Sequence, residues 1–393
     1  MHAQGHAERR FATVRDAFEA NFTERGDLGA AFCLYAGGRK VVDLWGGTAD
    51  ARTGRPWQED TLALVYSTTK GVSAICTHLM AQRQELDLDA PVVQYWPEYG
   101  VEGKAATTVA DLLSHRAGLP VLEPRLPADQ ALAWDPAVQT LAAQRPLWEP
   151  GTRHGYHAVT FGWLVGEVVR RATGRSLGRY LAEEVAGPLG LDLWIGLPEP
   201  EEGRVSRLRA SPPPRLSRDE LAALPPERVE QLRAMASPAS LTSRALNPTD
   251  PPFNFNQRAV HAAELPAANG IATARALAKL YATTVGEVDG VRLLRPDTVA
   301  AATVERSAGP DAVLLLDNRF GAGFFLPSPF SPLLGPRSFG HSGAGGSLAF
   351  ADPDAGIGFA YVMNQMQQNL AADPRPAALI DAVRRCLDQG GLD

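Results

Sequence analysis

Residues 64–70 read Leu64-Val65-Tyr66-Ser67-Thr68-Thr69-Lys70, a short apolar run that stops at a serine with a lysine three positions on. Val72, Ile75, His78, Leu79 and Met80 follow at helical spacing, so the pattern predicts a buried helix that opens at Ser67. Residues three apart share a helix face, which brings the Lys70 amine within reach of the Ser67 hydroxyl. A helix N-terminus favours negative charge and disfavours an ammonium. It therefore helps an alkoxide form and pushes the lysine towards the neutral amine that a base requires. The plain alternative is a surface serine beside a solvated lysine, but a lysine in the first turn of a buried helix needs a reason to be there. The chain has only four lysines, Lys40, Lys70, Lys104 and Lys279, against thirty-four arginines, and arginine cannot give up its proton in a protein.

Outward from this stretch the pattern is strand-like near both chain ends. Residues 6–24 carry a helical rhythm (Phe11, Val14, Phe18, Phe22), and Ala30–Tyr35 and Lys40–Trp45 are β-rich runs joined by Ala36-Gly37-Gly38-Arg39, a hairpin signal. The alternation in the second run suggests an antiparallel sheet covered on one face. From Thr68 the rhythm is helical for about two hundred residues: Thr107-Thr108 cap a short helix that stops at Gly118-Leu119-Pro120, and 159–172 form an amphipathic helix ended by Gly174. The span 198–266 is rich in Pro, Ser and Arg and reads as a lid-like excursion or a loop. A helix over Ala272–Thr283, strands over Phe320–Leu326, Ser347–Ala351 and Gly356–Met363, and a last helix over Pro376–Leu387 complete the reading. The expected fold is α+β, with one antiparallel sheet flanked by helices and built from both chain ends. Residues 1–70 and 270–393 would form the sheet domain, and 71–269 a mainly helical one.

Two further segments carry chemistry. Gly155-Tyr156-His157-Ala158 lies before the helix at 159, and a phenol beside an ammonium would ionise more easily, so Tyr156 could relay the serine proton. Read by itself, Tyr156 is more simply a core aromatic. Gly340-His341-Ser342-Gly343-Ala344-Gly345-Gly346-Ser347 leads into a strand, and its glycines allow close approach of a ligand to backbone N–H groups that could bind an oxyanion. The plain reading of that segment is a glycine-rich hairpin turn. A G-x-S-x-G elbow is disfavoured there, because position 344 is alanine and a strand follows.

Composition narrows the classes. The formal net charge of −6 offers no basic surface for nucleic acid, and no apolar run is long enough to cross a membrane. Cys33, Cys76 and Cys386 lie far apart, with the first two among apolar residues, and the eight histidines form no metal motif. Residues 1–10 have two histidines and two arginines with no apolar stretch behind them, which does not read as a secretory signal. A cytoplasmic protein without metal or organic cofactor is expected. Oligomeric state is not encoded in any of these features.

The ordered set Ser67-x-x-Lys70, Tyr156 and His341-Ser342-Gly343 resembles the serine β-lactamase and penicillin-binding-protein superfamily. It is closest to the branch of class C β-lactamases and β-lactamase-like (family VIII type) carboxylesterases. Leu112-Leu113-Ser114-His115-Arg116-Ala117-Gly118-Leu119-Pro120, Trp148-Glu149-Pro150-Gly151 and Asn269-Gly270-Ile271 look like further family segments. The resemblance implies a cleft between sheet and helical domains, Ser67 as acylated nucleophile, and Lys70 with Tyr156 as the base pair. It also implies an oxyanion and substrate site formed by Ser67 and the His341, Ser342, Gly343 and Gly345 segment. Two departures from the family pattern matter. His157-Ala158 stands where the family has x-Asn, and His341-Ser342-Gly343 stands where lactamases have Lys-Thr-Gly, so His341 would be a partly charged substitute near neutral pH. Both departures favour a small-molecule ester as substrate over a β-lactam. The remaining expectations are acyl transfer or β-lactam or amide hydrolysis on the same fold, or a catalytically silent binding protein. The substrate walls are expected from residues 120–135 and 235–260.

Overall fold

The computed structural model describes residues 2–211, 217–368 and 372–389. Its main sheet has seven antiparallel strands. Six of them are β1 (Gln4–Ala7), β2 (Gly29–Ala36), β3 (Arg39–Asp50), β4 (Phe339–Ser342), β5 (Leu348–Asp352) and β6 (Ile357–Met363), in the order β1-β3-β2-β6-β5-β4, and the short strand Arg55–Pro56 adds to β3. The join between the two chain ends is the β2–β6 pair, with Leu34 opposite Phe359 and Cys33 opposite Ala360. The expected single sheet from both termini is therefore present, with the hairpin at Gly37-Gly38 closing β2 onto β3.

The sheet is covered on both faces rather than one. Alternate residues of β2 feed different cores: Phe32 and Leu34 pack with Phe11, Val14, Phe18, Leu379 and Val383, whereas Cys33 and Tyr35 join the large core on the other side. The first face is closed by α1 (Ala12–Glu24) against the C-terminal helix, and the second by helix Ala274–Val285. That helix sits close because β6 has Gly358, where a Cβ would come within 2.3 Å of the Ala278 carbonyl. Strand alternation in the sequence marks one apolar face clearly, and the second was masked by small residues such as Ala31 and Cys33.

The remaining helices that matter here are α2 (Thr68–Gln82), α3 (Val109–Leu113), α4 (Thr160–Thr173), α5 (Ala274–Val285) and α6 (Pro374–Asp388). Thr108 and Asp111 form a reciprocal capping box at the start of α3. Every residue of α2 from Thr68 to Met80 is buried.

Two expectations need correction, and one element was not foreseen. The strand placed at Phe320–Leu326 ends at Phe320; the chain turns through Gly321-Ala322-Gly323, and Phe325 then bridges Gly340. The excursion 198–266 is not bare loop. It contains helices Arg218–Ala223, Pro226–Ala236, Leu241–Leu246 and Arg258–Ala262, while residues 212–216 within it lie outside the described residues. Gln4–Ala7 is a strand that the sequence did not announce, because an exposed edge strand needs no apolar alternation. No helix among the described residues is long and apolar enough to cross a membrane.

Candidate active site

Ser67 caps α2, and the residue before it, Tyr66, is held at φ +45°, a conformation that side chains other than glycine adopt only under constraint. That constraint turns the chain sharply out of the short strand Ala63–Leu64 into the helix, leaving Ser67 partly exposed at the N-terminus. Among the described residues no acceptor pairs with the Ser67 backbone N–H, while Thr68, Thr69 and Lys70 donate back to Val65, Tyr66 and Ser67.

Lys70 is completely buried one turn on. Its Nζ lies 3.1 Å from Ser67 Oγ, 2.6 Å from the Ala158 carbonyl and 3.0 Å from the Ala267 carbonyl. It also stands 4.7 Å from the centre of the Tyr156 ring and 5.7 Å from that of Phe161. Among the described residues no carboxylate is bonded to it, so burial alone acts on its proton and holds the amine well below the usual lysine range.

Tyr156 is buried, and Ser67 is close enough to act on the proton of its phenol. Burial raises its pKa, an effect that outweighs the lowering by Ser67, and the nearby Asp311 carboxylate raises it further. The phenol therefore stays protonated, contrary to the expected easier ionisation, because desolvation penalises a phenolate more than Ser67 favours it. The Tyr156 loop is pinned by Asp311. Its Oδ1 accepts from Tyr156 N at 3.0 Å and from Val313 N and Leu314 N at 2.8 Å each, and its Oδ2 accepts from Asn318 at 3.0 Å. Nothing in the sequence around Asp311 signals this role. His115 also packs on Tyr156, with ring centres 4.8 Å apart.

His157 points into the core. Its Nδ1–H donates to Gly155 O at 2.7 Å and its Nε2 accepts from Leu119 N at 2.9 Å, and burial lowers its pKa to about 3. Both nitrogens are spent on backbone.

The glycine-rich segment lies against the nucleophile. Ser347 Oγ donates to the Val65 carbonyl at 2.8 Å and is 3.1 Å from Thr68 Oγ1. A Cβ on Gly343 would meet both Val65 O and Ser347 Oγ at 2.2 Å, so only glycine allows that approach. Gly343 N–H donates to Ser347 O, Gly346 N–H donates to Gly343 O, and Gly345 faces Gln367 across an antiparallel bridge. Ala344 N–H has no partner among the described residues. Ser342 ends β4 half-buried. His341, on β4, is buried with Nδ1–H on Ser342 O at 2.7 Å and Nε2 unpartnered, and its ring faces Tyr156 and Phe325. Burial first, and Lys70 next, hold His341 well below the usual histidine range, so it is neutral at pH 7 rather than a partial cation.

Of the sequence-derived residues, Ser67, Lys70, Tyr156 and His341 lie together, Gly343 packs on the Val65 carbonyl beside them, and Ser342 and Gly345 are placed by the same turn without a direct contact to Ser67. Phe255, from the expected wall segment 235–260, lies against Tyr66 with ring centres 4.7 Å apart. Among the described residues no three His, Cys, Asp or Glu side chains are grouped as metal ligands would be.

Comparison with known proteins places this arrangement among relatives. The family model described as Beta-lactamase matches residues 15–384. The Esterase/beta-lactamase LipL of Mycobacterium tuberculosis is 36% identical over 373 residues, which cover 92% of this chain and 83% of that one. The crystal structure of a family VIII carboxylesterase is 42% identical, with a TM-score of 0.85, and the match covers 98% of this chain and all of that one. A penicillin-binding-protein homologue from Caulobacter crescentus is 39% identical, with a TM-score of 0.84 and the same coverage.

Proposed function

The chain belongs to the Beta-lactamase family, and from that premise we propose that it is a carboxylesterase acting through a covalent acyl-Ser67. The observation that carries the reading is the bonding of Lys70. A neutral amine has two N–H groups and one lone pair. The carbonyls of Ala158 and Ala267 take both hydrogens, which leaves the lone pair for the Ser67 O–H 3.1 Å away. Burial favours this neutral form.

The steps follow from that geometry. Ser67 Oγ attacks the ester carbonyl while its proton passes to Lys70. The tetrahedral oxyanion is held by the Ser67 N–H, aided by the N-terminus of α2, and by the Ala344 N–H. Gly343 and Gly346 do not fill that role, since their N–H groups are already bonded. Tyr156, beside Ser67 and with its ring 4.7 Å from the Lys70 amine, gives its proton to the departing alkoxide, and the proton on Lys70 restores the phenol. Water then replaces the alcohol, and the same groups run in reverse to release the acid and free Ser67.

An ester asks no more of a site than this. A cytoplasmic location is part of the proposal and is supported by three cysteines that are free and buried. The test is a fluorophosphonate probe followed by peptide mapping, run beside hydrolysis of p-nitrophenyl esters. Labelling of Ser67 together with loss of turnover supports the reading, and labelling of any other residue rejects it.

A further inference from the structure

Behind the glycine-rich turn lies a buried charge cluster that the steps above do not use. Arg375, in the first turn of α6, is fully buried. Its Nη1 donates to Asp27 Oδ1 and to the Gln365 carbonyl, each at 2.8 Å, and its Nε and Nη2 donate to Asp373 at 3.0 and 2.7 Å. Tyr361 Oη donates to Asp27 from the other side. Nη2 makes one further bond, to the carbonyl of Gly345. A Cβ on Gly346 would meet Arg375 Nη2 at 2.3 Å and Asp373 Oδ2 at 2.6 Å, so the turn rests directly on the ions. Removing one cation and two carboxylates from water is costly, and such clusters often add no stability over apolar replacements. A positional role accounts for the expense.

Peptide planarity supplies the link to the chemistry. The Gly345 carbonyl and the Gly346 N–H belong to one rigid plane. That N–H donates to the Gly343 carbonyl at 3.2 Å. The Gly343 carbonyl in turn shares its plane with the Ala344 N–H, an amide with no partner among the described residues. Arg375 therefore stands at the head of a relay of two peptide planes whose far end is an amide in the turn packed against Val65, two residues before Ser67. Aligned hydrogen bonds also polarise one another, so a cation at the head strengthens the donor at the tail.

We infer that Arg375, clamped between Asp27 and Asp373, is a positioning residue that aims the Ala344 N–H at the developing oxyanion through Gly345 and Gly343. The inference rests on the reading of Ser67 as nucleophile. Its test is Arg375→Lys, which keeps a cation for both carboxylates but lacks the planar fork that also reaches Gly345. Active sites are first counted with a fluorophosphonate. The kcat per counted site should fall at least about tenfold at nearly unchanged KM, and affinity for a trifluoromethyl ketone, whose hemiketal oxyanion needs the same amide, should fall by the same factor. A purely structural Arg375 would reduce the number of counted sites and leave the kcat of each unchanged. Gly346→Ala pushes on the same contact from the turn without touching a charge. It should reproduce the signature, and it carries the test should Arg375→Lys not fold. Wild-type kcat per site and ketone affinity, with Ser67 labelled, overturn the role of Arg375 alone. Labelling away from Ser67 overturns the nucleophile reading, and this inference with it.

Discussion

The amine of Lys70 lies 3.1 Å from the hydroxyl of Ser67, and among the described residues no carboxylate is bonded to it. An ammonium buried without a counter-ion loses its hydration and gains nothing comparable from two carbonyls, so the proton is easily lost. This makes Lys70 a base by environment. Lys70→Arg keeps a cation but removes the titratable amine, and kcat/KM for a p-nitrophenyl ester should drop by about two to four decades. In the unmodified enzyme kcat/KM should rise with pH through the lowered pKa of Lys70 and then level off, since the neutral amine is the active form. Arginine activity within a few-fold of lysine would mean that the charge, and not proton transfer, is what position 70 supplies.

Ser67→Ala should abolish ester turnover and probe labelling while thermal unfolding stays close to that of the parent, because Ser67 is partly exposed and its side chain fills no core position. Ser342→Ala should keep most activity, since Ser342 has no base at helical spacing. The opposite pattern would make Ser342 the nucleophile.

How much of this was legible depended on the kind of signal each residue leaves. Ser67 and Lys70 stand out because helical spacing coincides with a buried helix, and the short apolar run before them marks the entry to α2. The β2–β3 hairpin and β6 were visible because alternation and turn glycines are local. Asp311 and Arg375 were invisible, because their partners are a Tyr156 amide 155 residues away and a Gly345 carbonyl 30 residues away. The charge states of Tyr156 and His341 were misjudged for a related reason: sequence gives the neighbours of a titratable group but not its desolvation, and burial dominates both.

Acid should destabilise the fold from the histidine range downward. His78 is held neutral by burial with its pKa lowered to about 4, and His157 with its pKa lowered to about 3, against 6.5 for the free side chain. Between those values the unfolded chain binds more protons than the folded one, so stability rises with pH and is lost as pH falls below about 6.5. Each such histidine removes about 1.4 kcal/mol per pH unit in that window. His78 Nε2–H donates to the Ala322 carbonyl at 2.8 Å, a bond that His78→Gln can replace. Denaturant unfolding at pH 7, 6 and 5 should give a slope shallower by about that amount in the variant. An unchanged slope would place a proton on His78 inside the fold.

Gly343→Ala puts a methyl group at 2.2 Å from the Val65 carbonyl, a backbone atom that cannot swing away. The turn must retreat from the segment leading to Ser67. A stability loss of about 1–3 kcal/mol is expected from the overpacking. Turnover per probe-labelled site should fall as well, because the Ala344 amide moves with the turn. Calorimetry and site-normalised kinetics read the two effects separately, and full activity per site would detach this turn from the oxyanion.

The last expectation concerns which acyl compounds the site turns over. An ester needs a nucleophile, a proton path and an oxyanion site, because an alkoxide or phenoxide leaves readily once the tetrahedral intermediate has formed. A β-lactam needs in addition an anchor for its carboxylate and a means of hydrolysing a hindered acyl-enzyme. The groups present do not supply the anchor. His157 has both nitrogens committed to Gly155 and Leu119. Ala158 has no side-chain amide, and its carbonyl is occupied by Lys70. His341 is buried and neutral where a cation would be wanted. Hydrolysis of p-nitrophenyl acetate or butyrate should therefore exceed that of nitrocefin by at least about a hundredfold in kcat/KM, a difference of roughly 2.7 kcal/mol in transition-state binding. Parallel progress curves with both chromogenic substrates decide the matter. Equal values would mean that other side chains hold the antibiotic carboxylate, and hydrolysis of β-lactams would then become the leading activity.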